Sequence, residues 1–269
     1  MVKGIFIKTR ILEEETEMLT IGTTVKVNDK IAVIEDFLIP KVEGHEIKYS
    51  VETEDGEWLG LRKESELTII KPLGMQFNYF EKVHSGKYTN MYNLHYTNAI
   101  GDEKIYEVMS RKDLAKTDLG HHNDAITIII HHKTEDKYLL LYEYRLSAGQ
   151  FIFNVVAGLV EEGENAVTAC MREVFEETNI KIEETDITYR LPAAFSAIGL
   201  SDEQMETFFV EIDGEYNLHT DGNPNEIIVP RFYSLEEIEY LLQHEKFTSR
   251  TQLLFEMLIL QNKGKTFWK

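Results

Sequence analysis

Three glutamates lie close together in the stretch REVFEETN, which runs from Arg172 to Asn179. Glu173, Glu176 and Glu177 are separated by one to four positions, and helical side chains three and four apart are neighbours on one face. Like charges at that spacing destabilise a helix, so the cluster needs a compensating charge or full contact with water. Mg²⁺ suits such a cluster, because it prefers oxygen ligands and bridges to substrate phosphates.

The helix that carries these carboxylates is predicted to run from about Asn165 to Thr178. Its buried stripe follows the i, i+3, i+4, i+7 rule and consists of Val167, Cys170, Met171 and Val174. The three glutamates then lie beside that stripe, between the core and the solvent. Asn179 is expected to end the helix, since asparagine tolerates the left-handed conformation. From the octet alone, a metal site and an exposed acidic face with Arg172 paired to Glu176 are both open.

The upstream residues extend the pattern to GLVEEGENAVTACMREVFEETNI, from Gly158 to Ile180. This stretch resembles the Nudix box, G-x5-E-x7-R-E-U-x-E-E-x-G-U, in which U is aliphatic. Every defining position matches except Asn179, which stands where the box has glycine. The resemblance implies a loop–helix–loop that binds Mg²⁺ or Mn²⁺ and positions the pyrophosphate of a nucleoside diphosphate linked to another group.

Residue roles follow from the same resemblance. Four groups are expected to ligate the metal, namely the carboxylates of Glu173, Glu176 and Glu177 and the backbone carbonyl of Ala157. Arg172 and Glu164 are expected to pair and orient these ligands, and Gly158 is expected at the substrate. The implied reaction is attack of water at phosphorus, which breaks a phosphoanhydride.

Sequences flanking the box resemble the ADP-ribose pyrophosphatase group of this family. They are YEVMSRKD (residues 106–113), LLLYEYR ending at Arg145, NVVAG before the helix, and FSAIGLSDE (residues 195–203). The resemblance covers roughly residues 90 to 260. Two departures concern the substrate: Asn154 stands where many members have glutamate, and Ala197 with Ile198 replace the proline of the last motif.

Four residues outside the box are candidates for substrate binding and proton transfer. Arg145, at a strand end, is expected to bind diphosphate oxygens, and Arg111 is a second candidate. For both, the alternative is a surface arginine paired with an acid. A mobile loop of this group supplies a further carboxylate, and Glu226 in DGNPNEIIVP occupies that place. Glu203, in the SDE loop, is the rival candidate for the general base.

Two regions of different pattern predict two domains. Residues 1–73 contain short alternating strands and turn residues, which predict a small all-β domain similar in pattern to an SH3-like barrel. KPLG, from Lys71 to Gly74, marks the expected boundary. Residues 74–269 mix buried strands such as AITIII with amphipathic helices, for which Ser234 and Ser249 are expected N-caps. The expected fold class is α+β, a Nudix α/β/α sandwich with a mixed sheet.

Composition limits the partners and the compartment. The chain of 269 residues has a net charge of −19, from 47 acids and 28 bases, which argues against nucleic acid and anionic membranes as partners. It has no apolar run of roughly 18 residues and no signal-peptide pattern. Its single cysteine, Cys170, cannot form an internal disulfide and fits a reducing compartment. We therefore expect a cytoplasmic protein, and dimeric members of the family imply a homodimer.

These observations predict a Mg²⁺-dependent Nudix hydrolase. The first choice of substrate is ADP-ribose, with AMP and ribose 5-phosphate as products, and dinucleotides and nucleotide sugars stay open. The alternative of a different class is a Nudix domain that binds a nucleotide as a sensor and acts through a partner.

Overall fold

The computed structural model describes residues 23–38, 46–71, 76–98, 101–114, 123–220 and 226–267. The chain divides into two compact units. The first contains Met1–Glu81 and Asn93–Tyr106, and the second contains Lys82–Tyr92 and Glu107–Lys269. The expected boundary at residues 73 and 74 lies outside the described residues and stays a prediction.

The first unit contains one antiparallel sheet of five strands. They are β1 (Thr24–Val27), β2 (Lys30–Leu38), β3 (Lys48–Glu52), β4 (Trp58–Lys63) and β5 (Thr68–Lys71), in the order β4-β3-β2-β1-β5. The alternation in β1 buries Val25 and Val27 on one side. Asn28 and Asp29 both adopt positive φ, which the tight turn into β2 requires. The sheet agrees with an all-β domain, and its SH3-like closure stays a prediction.

A separate sheet of three strands follows in the chain. It consists of β6 (Gln76–Ser85), β7 (Asn90–Thr97) and β8 (Glu103–Ser110), in that order. In the sequence, YNLHY (residues 92–96) and IYEVMS (residues 105–110) predict the hairpin of β7 and β8, but β6 was missed. Almost every side chain of β6 is exposed, so the strand carries little hydrophobic periodicity. Residues of this sheet belong to both compact units.

The largest sheet lies in the second unit and contains seven strands. They are β9 (Ala125–His132), β10 (Lys137–Arg145), β11 (Gln150–Asn154), β12 (Val156–Leu159), β13 (Ile187–Phe195), β14 (Gln204–Ile212) and β15 (Ile228–Tyr233). The main order is β11-β10-β9-β14-β13, with β12 paired to β9 and β15 paired to β10. Since β14 and β9 are parallel and the other pairs are antiparallel, the sheet is mixed, as predicted.

Helices cover both faces of this sheet. They are α1 (Ala166–Thr178), α2 (Leu235–His244) and α3 (Ser249–Asn262). In β9, Ile128 packs in the same cluster as residues of α1, whereas Ile129 packs with residues of α2 and α3. The apolar run of β9 is therefore buried on both sides, and the expected α+β class is confirmed. Within the described ranges, no helix has the length and apolar character needed to span a membrane.

The N-terminal caps of α2 and α3 differ from each other. Ser234 caps α2, because its hydroxyl accepts from the Glu237 backbone while the Glu237 carboxylate accepts from the Ser234 backbone. The expected cap at Ser249 is wrong: Ser249 is the first helical residue, and Thr248 stands at the cap position. The Thr248 hydroxyl donates to the Asn154 side chain at 2.9 Å, so tertiary contacts moved the helix start by one residue.

The C-terminal end of α1 explains the asparagine that departs from the box. Asn179 adopts φ 62° and ψ 13°, and its backbone N–H donates to the Phe175 carbonyl. Its side-chain amide also donates to the Asn217 carbonyl at 3.0 Å. Asparagine therefore supplies the left-handed conformation and adds a hydrogen bond that glycine cannot make.

Replacing this residue should separate the two contributions. Asn179→Ala is expected to lower the free energy of unfolding by about 1–2 kcal/mol, because alanine is strained at positive φ and loses the hydrogen bond. Asn179→Gly loses only the hydrogen bond, so its free energy of unfolding should lie between those of Asn179→Ala and the wild type. Urea denaturation measures the order, and an alanine variant as stable as the wild type would contradict it.

Candidate active site

Helix α1 is held against the sheet by its small and apolar side chains. Ala169, Cys170 and Val174 are fully buried in the core that β9 shares with this helix. The Asn165 side chain accepts from the Thr168 backbone at 2.9 Å and caps the helix start. Burial raises the pKa of the Cys170 thiol to about 12, so this cysteine is a packing residue rather than a nucleophile. The glutamates of the box lie beside these buried residues on the same helix.

One arginine connects the acidic residues of the box. The Arg172 guanidinium donates to both carboxylate oxygens of Glu164, at 3.0 and 2.9 Å. It also donates to Glu173 at 2.7 Å and to Glu176 at 3.1 Å. A further bond at 2.8 Å reaches the Leu159 carbonyl of β12. The guanidinium lowers the pKa of Glu164, and Arg172 thus ties the helix to the loop before it.

Gly158 lies directly under the Glu173 carboxylate. A Cβ atom at this position would stand 1.9 Å from Cδ of Glu173, so any other residue would displace the carboxylate. Burial raises the pKa of Glu173, although its bond to Arg172 opposes the shift, and the charges of Glu176 and Glu226 add to it. Glycine here permits a close approach between the strand and the acidic helix edge.

Glu177 carries the most strongly perturbed carboxylate of the box. The Ala157 backbone N–H donates to its Oε2 at 3.3 Å, which holds the side chain against β12. Burial is the main cause that raises the pKa of Glu177 well above its ordinary value. The negative charge of Glu173 is the next cause, and the bond from Ala157 opposes both. The ionised form of Glu177 is thus costly in the chain by itself.

Two carboxylates outside the box act on Glu177. The charges of Glu143 and Glu226 add to burial in raising the pKa of Glu177. Glu143 lies in β10, and Glu226 precedes β15, the strand that pairs with β10. A bond of 3.0 Å from the Tyr144 N–H to the Ile227 carbonyl fixes the backbone next to Glu226. The antiparallel pairing of these two strands therefore brings Glu143 and Glu226 to the box.

The comparison with known proteins agrees with this geometry. The family model described as the NUDIX domain matches residues 121–254. The chain belongs to the Nudix hydrolases. The putative nudix hydrolase 2 of Caenorhabditis elegans is 25% identical over 185 residues, which cover 67% of this chain and 78% of that protein.

A second curated relative and a solved structure give two further similarities. The ADP-sugar pyrophosphatase of Mus musculus is 26% identical over 141 residues, covering 50% of this chain and 60% of that protein. A solved structure described as that of an ADP compounds hydrolase has a TM-score of 0.51 and 17% identity, covering 73% of this chain and all of the other. That similarity concerns the fold. The family and the hydrolase names of the relatives show that this Nudix protein is an enzyme of the pyrophosphatase type.

Nudix hydrolases generally use divalent metal ions, and the residues of this site suit such an ion. Its donors are carboxylate oxygens, which hard cations prefer, and their mutual repulsion is relieved by positive charge. Among the residues that the structure describes, no three His, Cys, Asp or Glu side chains converge as they do around an ion. The reason is visible in the bonds above: Arg172 holds Glu173 and Glu176, while the backbone of Ala157 holds Glu177.

Arg145 of the Nudix domain is tied to a buried polar network. Its Nε lies 3.0 Å from Oε1 of Glu143, a side chain that is 5% exposed. The same oxygen accepts from the Asn154 amide at 2.9 Å. The Asn154 carbonyl oxygen in turn accepts from the hydroxyls of Thr248 and Thr251, at 2.9 and 3.0 Å. Arg145 thus has an acidic partner, and this network links it to the start of α3.

Arg111 and Glu203 form a pair of their own. The Arg111 Nε donates to Oε2 of Glu203 at 2.6 Å, and the Ser196 hydroxyl donates to Oε1 at 2.8 Å. Although burial opposes the shift, these two bonds lower the pKa of Glu203. Both carboxylate oxygens are therefore occupied, which makes Glu203 a weak proton acceptor.

Sequence reasoning missed Glu143 as part of this site. One signal was available, because Glu143 is a charged residue inside the buried run LLLYEYR. The hydrogen bond from Asn154 gives a reason for the departure at residue 154 from the ADP-ribose pyrophosphatase pattern, since an amide there can donate to Glu143 and a carboxylate would repel it.

Neutralising Glu177 should stabilise the metal-free chain. With a chelator present at pH 8, Glu177→Gln is expected to raise the free energy of unfolding by on the order of 1 kcal/mol, because it removes a buried, repelled charge. Because the pKa of Glu177 is raised in the folded state, its carboxyl group imposes no cost on folding below the ordinary pKa of 4.5, where it is protonated in both states. The cost to folding grows as the pH rises from 4.5 to the raised pKa of the folded state. The advantage of the variant should therefore vanish below pH 4.5.

Glu176→Gln is the matched control for this measurement. Glu176 is 42% exposed and paired with Arg172, so its neutralisation should bring no gain in stability. Urea denaturation at both pH values gives the comparison. Equal stability of Glu177→Gln and the wild type at pH 8 would refute the repulsion.

Proposed function

We propose that the chain hydrolyses the pyrophosphate bond of ADP-ribose to give AMP and ribose 5-phosphate, and that it requires Mg²⁺ or Mn²⁺. The observation that carries this proposal is the carboxylate cluster of Glu173, Glu177 and Glu226. Burial raises the pKa of Glu173 and Glu177, which lie beside the backbone of Gly158 and Ala157, and the charge of Glu226 adds to both shifts. A diphosphate that arrives with a divalent cation matches such a site in charge and in ligand type.

The proposed metal ligands are the carboxylates of Glu173, Glu176 and Glu177, together with the backbone carbonyl of Ala157. Arg172 and Glu164 are positioning residues, because their bidentate pair fixes the guanidinium that orients Glu173 and Glu176. The bound ion would neutralise phosphate oxygens and lower the pKa of the attacking water. Gly158 keeps the space in which the Glu173 carboxylate lies.

Glu226 is the proposed general base. Its charge acts on both Glu173 and Glu177, so it lies near the place where the water would be activated. The water oxygen forms a new bond to phosphorus, and the bridging P–O bond breaks. The water proton passes to Glu226, and the departing phosphate keeps the bridging oxygen. Glu203 is less suited, because Arg111 and Ser196 already occupy its two oxygens.

Arg145 and Arg111 are the proposed diphosphate-binding residues. Each guanidinium is already aligned by one carboxylate, Glu143 or Glu203, which leaves other N–H donors to phosphate oxygens. The side chain of Arg145 is 47% exposed and that of Arg111 is 34% exposed, so both are accessible to a ligand. In a chain with a net charge of −19, such positions offset the repulsion of an anionic substrate.

The choice of ADP-ribose is supported by the flanking motifs and by one relative. Residues 106–113 and 195–203 resemble the ADP-ribose pyrophosphatase group, and the mouse relative is named an ADP-sugar pyrophosphatase. We propose in addition that the chain is a cytoplasmic homodimer. The β1–β5 domain, with an SH3-like closure and a boundary near residues 73 and 74, would bind a partner or extend the dimer interface.

Turnover of a substrate panel tests the proposed function. Purified protein with Mg²⁺ is expected to cleave ADP-ribose faster than NADH, diadenosine polyphosphates or UDP-sugars, with products identified by chromatography. Glu177→Gln should lower kcat by at least about 100-fold, because it removes a metal ligand. Glu162 is an exposed glutamate of the loop between β12 and α1, and Glu162→Gln is the control that should retain activity. Tight binding without any turnover would instead indicate a nucleotide sensor.

The identity of the base is tested by a pair of variants. Glu226→Gln should lower kcat by about 100-fold or more and remove the acidic limb of the pH–rate profile, because a general base contributes about 10²–10⁴-fold. Glu203→Gln should leave that limb in place, with its main effect on KM through Arg111. A retained acidic limb in Glu226→Gln and a lost one in Glu203→Gln would reverse the assignment.

A further inference from the structure

A cavity of about 250 Å³ opens between α3 and the mixed sheet, on the side away from α1. Its apolar lining comes from strands and helix alike and includes Ile129, Val155, Leu191, Phe209, Leu253 and Met257. Leu253 and Met257 are 57% and 53% exposed, so the cavity is open to ligands from the solvent. None of these residues has a part in the proposed chemistry.

Three threonines line the cavity, namely Thr127, Thr207 and Thr251. Thr127 lines the cavity and is only 5% exposed, and its hydroxyl has no hydrogen-bond partner in the described parts of the chain. Buried polar groups are normally paired, and an exception calls for an explanation. A ligand that offers a donor or an acceptor to Thr127 would supply the missing partner. Arg250, an exposed residue, lines the same cavity, and its guanidinium offers further donors.

The cavity lies next to the carboxylate cluster. Leu191, Thr207, Thr127 and Ala157 form one row of cross-strand neighbours over β13, β14, β9 and β12. Adjacent strands are about 4.8 Å apart, so Thr127 is one strand from Ala157. The Ala157 N–H is the group that binds Glu177. At the other side, Thr251 lines the cavity and donates to Asn154, the partner of Glu143.

We propose that this cavity binds the planar base of the nucleotide substrate, an inference that rests on the proposed function. Pockets for whole drug-sized ligands measure about 300–1,000 Å³, so this one suits a single ring system. A sugar would leave several hydroxyls unpaired against an apolar lining, which is unfavourable. A base has apolar faces for Phe209 and Leu253, and a polar edge for Thr127 and Arg250.

Binding of AMP compared with ribose 5-phosphate tests the base pocket without turnover. In the full chain with isotope-labelled methyl groups, AMP is expected to shift the NMR signals of Ile129, Leu254 and Met257. Ribose 5-phosphate lacks the base and should leave these signals in place. Binding of AMP without shifts at these methyl groups would overturn the proposal, and so would the absence of any AMP binding at millimolar concentration.

Two substitutions and a control sharpen the test by calorimetry. Thr127→Val keeps the shape but removes the hydroxyl, and should raise the Kd of AMP by about 3- to 10-fold, as expected for one neutral hydrogen bond. Leu253→Trp narrows the cavity and should raise the Kd of AMP by about 10-fold or more. Gln261→Trp, an exposed position of α3 outside the cavity, should leave the Kd unchanged. AMP affinities of Thr127→Val and Leu253→Trp within twofold of the wild type would refute the base pocket.

The base pocket and the proposed function can fail separately. If ADP-ribose is cleaved but Leu253→Trp leaves its KM unchanged, the base lies elsewhere while the hydrolase activity stands. If AMP shifts the cavity signals but no substrate is cleaved, the pocket stands and the proposed hydrolysis of ADP-ribose fails.

Discussion

The pairing of one arginine with three carboxylates underlies the acidic edge of α1. Arg172 donates to Glu164, Glu173 and Glu176 and is also bound to the backbone of β12. A planar guanidinium with five fixed donors can make all these bonds together, which a lysine cannot. The folded chain can therefore hold a cluster of like charges before any cation arrives, although repulsion between like charges on one helix face disfavours it.

The remaining metal-ligand candidate of the box, Glu177, is held by the backbone of β12. Glu177 is bound to the Ala157 backbone on one side and is repelled by Glu173 and Glu143. Burial and these charges together make the ionised form of Glu177 costly. In the proposed function, a cation that carries a diphosphate would relieve that repulsion, so the electrostatic cost that destabilises the free chain would favour the bound one.

The sheet connects the parts that act on the substrate. Because β9 is buried on both faces, α1 packs on one side and α3 on the other. The Glu143–Asn154 hydrogen bond continues to Thr251 at the start of α3, so a polar network crosses from the acidic site to the cavity side. Networks of this type are rigid when every member is paired. In this protein the network joins Arg145 to the walls of the cavity.

Local signals in the sequence predicted α1, its left-handed end at Asn179 and the crowding of its carboxylates, because these depend on residues three to seven positions apart. Helices on a mixed sheet were expected because strands and helices do not strictly alternate along the chain. The apolar runs AITIII and YLLLYEY indicated strands buried on both faces. Strand β6 was missed because its side chains are exposed, and the cap at Ser249 was wrong because the Thr248 side chain binds Asn154. The family and its chemistry were therefore readable from the chain itself. Only the tertiary structure brought Glu143 and Glu226 to Glu177, tied Glu203 to Arg111 and left the Thr127 hydroxyl in a cavity, since strand pairing over long separations decides such contacts.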